Sequence, residues 1–278
     1  MTAREQGFLL LTSCLGDSTR KPMKLNRFRE LILRSKEAGL EDATVLTQEQ
    51  LLDMGYDRLK AAHMADLFSE ADRLAGYLRL ARREGCCFLT LGTEDFPEML
   101  SLRLGLDCPT VLWGKGDLSL LSQPGIGLVG SRDLKPENFA FAQSVGRFAA
   151  ENGFVLISGN ARGADRAGQE AALAAGGKVV SVVADKLTDK KTDPNILYIA
   201  EDSFDLPFVN YRALSRNRII HALGARTYVA QCSLGHGGTW DGTAKNLQKG
   251  WSPVYCFDDG SPASRELQAQ GAELVTNI

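Results

Sequence analysis

Apolar residues follow two different periodicities along the chain. Up to about Gly85 they recur at helical spacing, as in residues 26–40, where Gly39 ends the run. Beyond that point, short runs rich in Val, Ile and Leu alternate with amphipathic stretches. The change predicts a small all-helical domain over residues 1–83 and an α/β domain over residues 84–278.

Nine short apolar runs in the second part each predict a buried β-strand. The runs cover residues 86–92, 110–114, 126–130, 154–159, 178–184, 197–202, 226–232, 254–259 and 273–277. Amphipathic helical patterns lie between them at 137–153, 166–177, 216–224 and 264–272. Continuous apolar strands alternating with helices are typical of a doubly wound, mostly parallel sheet. The predicted fold class is therefore α/β.

Composition and charge narrow the class of protein. The 278 residues are 44% hydrophobic and 24% charged, with a net charge of −2, which is typical of a soluble globular protein. No apolar stretch is long enough to span a membrane, and the N-terminus has no convincing cleavage site, so a cytoplasmic location is expected. The six cysteines and three histidines show no metal-ligand spacing, so reduced thiols and no bound metal are expected.

Candidate chemistry lies where the predicted strands end, because ligands of parallel sheets bind beyond the carboxyl ends of the strands. We call the residues that follow each strand an exit, and the first exit is Gly130, Ser131 and Arg132. Glycine permits a close backbone turn, and the hydroxyl and guanidinium groups are donors to an anion. The G-x-G-x-x-G match at 125–130 is not a dinucleotide fingerprint, because two of its glycines lie within the strand. An ordinary strand end with a solvated arginine is the alternative.

The second exit precedes a helix that we expect to begin at Arg166. A glycine-bearing loop that opens a helix presents free N–H groups and the positive end of the helix dipole to an anion. Asp165 is expected to cap that helix. The candidate anion-binding residues here are Ser158, Gly159, Asn160, Arg162 and Gly163.

The third exit contains three arginines in seven residues, at the expected start of a helix. The helix dipole disfavours cations there unless an anion offsets them, so we interpret the cluster as an anion site, with a solvated charged face as the alternative. The candidate residues are Arg212, Arg216, Asn217 and Arg218.

The fourth exit, residues 235–243, contains four glycines and is predicted to be a flexible or phosphate-wrapping loop. Its candidate residues are Gly237, Gly238 and Thr239. Trp240 in the same loop either stacks on a base or caps the core.

Catalytic machinery is not evident in the sequence. It has no G-x-S-x-G elbow, no Walker lysine and no suitably spaced carboxylate pair. The four exits together predict a site that holds phosphate without breaking bonds, so no catalytic residue, metal or cofactor is assigned.

Several motifs resemble, in order, those of the DNA-processing protein A family (DprA, also called Smf). "GLVGSR" (127–132) is similar to the family's iVGsR, and "SGNARGADRAGQEAAL" (158–173) to its SGxAxGiDxxAHxxAL. "SRNRIIHALG" (215–224) is similar to RRNRIIaxLs. "FPEML" (96–100) and "CPTVLWGKGDLSLL" (108–121) resemble two further segments, so the resemblance runs through most of the chain.

The resemblance implies an extended Rossmann-like domain after a helical domain of the SAM or helix-hairpin-helix type. It also implies single-stranded DNA binding by a homodimer, and delivery of that DNA to the recombinase RecA in natural transformation or related DNA processing. Gln169 stands where the family usually has histidine, and Gln231 where it often has glutamate. The 235–243 loop is one residue longer than usual, and a divergent member without the winged-helix tail is expected.

A small-nucleotide site is the alternative function, as a sensor or a weak hydrolase. It draws on similarity to the lonely-guy phosphoribohydrolases, which have a GGxGTxxE loop. The pairs Gly237-Gly238 and Gly242-Thr243 are two residues too far apart for that motif, and Asn246 replaces its glutamate. Hydrolysis would lack its carboxylate, whereas ligand sensing stays open.

Overall fold

The computed structural model describes residues 2–40 and 45–278. In the N-terminal segment the described helices are α1 (Ala3–Thr12), α2 (Leu25–Glu37), α3 (Gln48–Asp53), α4 (Arg58–Ser69) and α5 (Ala71–Arg83). The Thr47 hydroxyl accepts the N–H of Gln50, whose side chain accepts the N–H of Thr47, so α3 begins with a capping box. The predicted helical character of this segment is confirmed.

The rest of the described chain forms a nine-stranded sheet. The strands are β1 (Cys87–Thr90), β2 (Val111–Lys115), β3 (Gly125–Val129), β4 (Val155–Ser158), β5 (Lys178–Val182), β6 (Ile196–Ala200), β7 (Thr227–Val229), β8 (Val254–Phe257) and β9 (Glu273–Val275). Their order is β1-β2-β6-β5-β4-β3-β7-β8-β9. Strands β3 to β9 pair in parallel, whereas β2 is antiparallel to β6 and to β1. Each predicted run overlaps one strand, which confirms the mostly parallel α/β prediction.

Helices cover both faces of the sheet. They are α6 (Glu98–Leu104), α7 (Pro136–Glu151), α8 (Ala164–Ala174), α9 (Asn210–Leu223), α10 (Gly238–Lys249) and α11 (Pro262–Ala269). Leu128 and Leu156 belong to the core beneath α7 and α8, whereas their neighbours Val129 and Ile157 belong to the core beneath α9. Alternate strand residues are therefore buried on opposite faces. None of the helices in the described part has the length and apolar character that crossing a membrane requires.

Helix α10 corrects the loop prediction for residues 235–243. Two of the four glycines there, Gly238 and Gly242, lie within α10 and allow it to approach α9 closely, whereas Gly235 and Gly237 precede the helix. A Cβ at Gly238 would lie 2.9 Å from Cδ2 of Leu214, and one at Gly242 would lie 3.2 Å from Cβ of Asn217. Tertiary packing thus outweighs the low helix propensity of glycine.

The N-terminal helices pack directly on the sheet. The ring centroids of Tyr77 and Trp113 lie 5.2 Å apart, and those of Tyr77 and Phe204 lie 4.6 Å apart. The Tyr77 hydroxyl donates to Asp205 at 2.8 Å. One hydrophobic core includes residues of both segments. The division at 83/84 coincides with the end of α5, but as a domain boundary it stays a prediction.

Candidate anion-binding site

Three neighbouring parallel strands, β3, β4 and β5, end at the same edge of the sheet. The loops that follow them, Phe208 just before α9 and the first half of α9 surround a cavity of about 250 Å³. The structure brings four of the predicted site residues to its wall: Arg132, Asn160, Arg162 and Arg216. The cavity is therefore where the first, second and third strand exits meet.

Gly163 brings the loops of the first and second exits into direct backbone contact. Its φ of 87° and ψ of −128° are open only to glycine. The next residue, Ala164, donates its N–H to the carbonyl of Ser131 at 3.1 Å. A Cβ on Gly163 would overlap the backbone carbonyls of Ser131 and Arg132. Gly163 therefore fixes the loop that carries Arg132 against the start of α8.

Asp165 is not the helix cap that the sequence predicted. Gly163 occupies the N-cap, α8 begins at Ala164, and Asp165 lies in the first turn with only 5% of its surface exposed. Its carboxylate accepts the N–H of Ala161 at 3.2 Å and faces a guanidinium nitrogen of Arg216 at 3.4 Å. Burial raises the pKa of Asp165, and Arg216 opposes that rise.

Arg216 lies in the interior of α9, not at its start as predicted, because α9 begins at Asn210. One of its terminal nitrogens faces Asp165, and the buried Nε–H has no hydrogen-bond acceptor among the described residues. A buried donor without an acceptor costs about 1–3 kcal/mol. Since Arg216 lines the cavity, an oxygen of a ligand there could accept this N–H.

The other two arginines of the third exit are held elsewhere. Arg212 is buried and donates to the Asp202 carboxylate at 2.9 Å and to two backbone carbonyls of the preceding loop. Arg218 pairs with Glu201 and lines a separate cleft on the other side of α9. Their own carboxylates, and not a bound anion, offset their charge.

The remaining predicted residues do not line the cavity. The Ser158 hydroxyl is buried and accepts a hydrogen bond from Gln169, and Gly130 and Gly159 lie at the ends of their strands. The side-chain amide of Asn217 donates to the carbonyl of Gly238 at 2.9 Å, at the start of α10. Gly237 is the N-cap of α10 and Thr239 lies in its first turn, so the fourth exit packs on α9.

Gln169 and Gln231, the two departures from the family motif, form hydrogen bonds with the loops around the cavity. The Gln169 amide donates to the hydroxyls of Ser158, at 2.8 Å, and Ser181, at 3.3 Å, and to the carbonyl of Gly159. The side chain of Gln231 accepts the N–H of Lys135 at 3.0 Å and donates to the carbonyl of Asp133 at 3.3 Å. Sequence reasoning noticed both positions but could not assign these supporting roles.

Replacing the buried glutamine with leucine, Gln169→Leu, should lower the free energy of unfolding by about 1–3 kcal/mol. The change removes the donor to the Ser158 hydroxyl and the Gly159 carbonyl, both of which are buried. Denaturant unfolding measures the effect. Gln268→Leu, at an exposed position of α11, is the matched control and should change stability little. An equal effect of both changes would contradict the supporting role.

Asn246, which stands in place of the hydrolase glutamate, is a buried structural amide. It donates to Nδ1 of His221 at 3.1 Å and to the Ser252 hydroxyl at 3.2 Å, and it accepts the N–H of Ser252 at 2.9 Å. Burial lowers the pKa of His221 to about 3, so this imidazole is neutral. Asn246 lines neither of the two cavities described above.

Comparison with known proteins gives one family. The family model for DNA recombination-mediator protein A matches residues 87–278. The DNA processing protein DprA of Streptococcus pneumoniae is 30% identical over 185 residues, which are 62% of this chain and 65% of that protein. The match thus spans just under two thirds of that relative. The DNA processing protein DprA of Bacillus subtilis is 27% identical over 240 residues, which are 82% of this chain and 77% of that protein.

Two solved structures share the fold. The X-ray structure of DprA from S. pneumoniae has a TM-score of 0.75 at 24% identity, covering 100% of this chain and 95% of that chain. DNA processing protein A from Helicobacter pylori, in a structure concerned with its single-stranded DNA binding mode, has a TM-score of 0.58 at 23% identity. That match covers 69% of this chain and 91% of that chain.

Proposed function

Because the chain belongs to the DNA recombination-mediator protein A family, we propose that its cavity binds single-stranded DNA through phosphate contacts, without chemical turnover. The H. pylori relative is described by its single-stranded DNA binding mode, and the S. pneumoniae and B. subtilis relatives are DNA processing proteins. These descriptions support nucleic acid as the ligand class, and the geometry of the cavity supports phosphate as the group that it contacts.

The observation that carries the proposal is the meeting of three arginines at the carboxyl edge of the sheet. The guanidinium of Arg132 is exposed and has no ion pair among the described residues. Within the described ranges Arg162 pairs with Asp133 alone, at 2.6 Å, and these side chains are 71% and 83% exposed. Such exposed pairs are weak, so a phosphate can replace Asp133. Arginine binds phosphate through paired, charge-assisted hydrogen bonds.

The first turn of α8 does not line the cavity, whose wall on this loop ends at Arg162. The N–H of Ala164 donates to the Ser131 carbonyl, and the buried Asp165 lies in the same turn. The donors assigned to phosphate are therefore the arginine side chains.

The composition of the wall favours binding over turnover. Among the described residues that line the cavity, Asp185 is the one acidic group, and there is no Ser, Cys, His or Lys. A nucleophile with an adjacent base, or a pair of acid and base, is what covalent or general acid–base catalysis requires. We propose that the site holds a strand and does not cut it.

Arg132→Ala should weaken binding of oligo-dT and lower its dependence on salt. Each phosphate contact on a single strand contributes about 0.7 to the slope of log affinity against log salt, so the slope should fall by about that amount. Fluorescence anisotropy at several salt concentrations measures both effects. Arg265→Ala, at an exposed arginine on α11, is the matched control, and Lys135→Ala is a nearby one whose effect should be smaller.

A folded double variant, Arg132→Ala with Arg162→Ala, that binds oligo-dT like the unchanged protein would contradict the DNA proposal. A nucleotide sensor would then be favoured, and a thermal-shift panel of nucleotides would test it.

We also propose that the chain acts in the cytoplasm as a homodimer and delivers the bound strand to RecA, in natural transformation or related DNA processing. The membership of the family supports this assignment. Light scattering at micromolar concentration should give about twice the 30.2 kDa mass of the chain. A monomer at every accessible concentration would contradict the dimer, and failure to stimulate RecA on coated strands would contradict the delivery role.

A further inference from the structure

Two side chains of the cavity have no use in phosphate binding. Phe208 lies just before α9, lines the cavity and is 48% exposed. Asp185 follows β5, and its carboxylate lies in the wall that also contains the three arginines. A site for phosphate alone gains nothing from an exposed aromatic ring, and a carboxylate would repel the anion.

The apolar part of the cavity suits a planar ring. Phe208 faces the same space as Val183, Ala184 and Ala213, which are small or aliphatic. In proteins that bind single strands, bases stack on aromatic side chains beside a cationic groove that follows the backbone. The volume of about 250 Å³ is below the range of roughly 300–1,000 Å³ for drug-sized ligands. The cavity therefore has room for one base, not for a dinucleotide.

Asp185 pairs with a neighbour through one carboxylate oxygen and keeps the other for a ligand. Nζ of Lys190 donates to Oδ2 of Asp185 at 2.6 Å. Oδ1 makes no side-chain hydrogen bond with any residue in the described ranges, and the side chain is 40% exposed. An ionised carboxylate only accepts hydrogen bonds, so the ligand group that it faces must be a donor.

We propose that the cavity seats one base of the bound strand against Phe208, and that Asp185 makes guanine the preferred base. In a single strand the Watson–Crick edge of a base is open to protein. Guanine presents its N1–H and 2-amino donors side by side, and the Asp185 carboxylate can accept both, one at Oδ1 and one at the second lone pair of Oδ2, beside the bond from Lys190. Adenine and cytosine place a ring acceptor beside their amino group, and thymine places its N–H between two carbonyls. This inference rests on the proposed single-stranded DNA binding.

The test is a competition among strands that differ at one base. Labelled oligo-dT is displaced by oligo-dT strands that carry a single central guanine, hypoxanthine, adenine or cytosine. We expect the guanine strand to bind about tenfold more tightly than oligo-dT, in line with other paired base contacts. Hypoxanthine, which lacks the 2-amino group, should give an intermediate affinity.

Single-residue variants test which side chains produce the guanine preference. Asp185→Asn should remove the guanine preference, so that the guanine strand binds no more tightly than oligo-dT. Lys190→Met is the matched control, because it breaks the same ion pair but keeps the carboxylate, so the preference should remain. Phe208→Leu should weaken all strands by a similar factor, about tenfold. Phe139→Leu, at an exposed phenylalanine of α7 that does not line the cavity, should not.

The outcomes separate this inference from the function on which it rests. Equal affinity of the unchanged protein for all strands would overturn base selection and leave phosphate binding in place. A guanine preference that persists in Asp185→Asn would overturn the role of Asp185. No binding of any strand, oligo-dT included, would overturn the proposed function and the inference together.

Discussion

Gly163→Ala is expected to remove most of the oligo-dT binding and to lower the free energy of unfolding by at least about 1–3 kcal/mol, the usual cost of one strained backbone conformation. The φ of 87° with ψ of −128° is closed to alanine. The added Cβ would also overlap the carbonyls of Ser131 and Arg132. The loop that carries Arg132 must therefore move away from α8, and the arginine moves with it.

A variant at a second glycine distinguishes backbone strain from the overlap with the neighbouring loop. Gly153 also has a positive φ, 73°, but it is exposed and a Cβ there would meet nothing within 4 Å. Gly153→Ala should therefore cost stability through backbone strain alone and leave the affinity for oligo-dT unchanged. Denaturant unfolding and anisotropy on both variants make the comparison. If Gly163→Ala remains folded and binds as tightly as Gly153→Ala, the contact between the two loops is not what positions Arg132.

The strands could be predicted from sequence because each signal is local. A short run of Val, Ile and Leu buried on both faces needs no knowledge of its partner, and every predicted run overlaps a strand. The same local rule failed at α10, where glycines that suggested a loop serve close packing against α9. The motifs gave the family resemblance, and the family model over residues 87–278 confirms it.

The roles of the arginines could not be predicted, because they depend on partners distant in sequence. Arg132, Arg162, Arg212, Arg216 and Arg218 look alike beside glycine-rich loops. Folding gives Arg212 and Arg218 their own carboxylates in the loop after β6, and leaves Arg132 exposed. Asp165 was expected to be the N-cap of α8, but Gly163, with its unusual backbone conformation, occupies that position. Only the fold then shows that Asp165 faces Arg216.

Arg216→Met is expected to lower the free energy of unfolding by about 3–5 kcal/mol, because it leaves a buried carboxylate without its cation. Asp165 is 5% exposed, and the guanidinium of Arg216 at 3.4 Å is the one cation that forms an ion pair with it among the described residues. Arg147→Met, at an exposed arginine of α7, is the matched control and should have a small effect. Denaturant unfolding near neutral pH measures the difference.

The loss of stability in Arg216→Met should depend on pH. Burial already raises the pKa of Asp165 above 3.8, so the folded protein holds a proton at this site to higher pH than the unfolded chain does. Stability from this group therefore falls as pH rises through the folded pKa. Arg216 opposes the rise, so its removal raises the pKa of Asp165 further. The deficit of Arg216→Met should be greatest at neutral pH and should shrink as the pH falls towards 3.8.

Adding Asp165→Asn to Arg216→Met distinguishes folding from binding. The neutral amide can still accept the N–H of Ala161, and it leaves no buried charge, so most of the lost stability should return. Oligo-dT affinity should stay low, because the guanidinium that lines the cavity is still missing. A double variant as unstable as Arg216→Met would show that the charge pair is not the source of the loss. Recovery of stability together with full affinity would mean that Arg216 supports the fold and does not contact the strand.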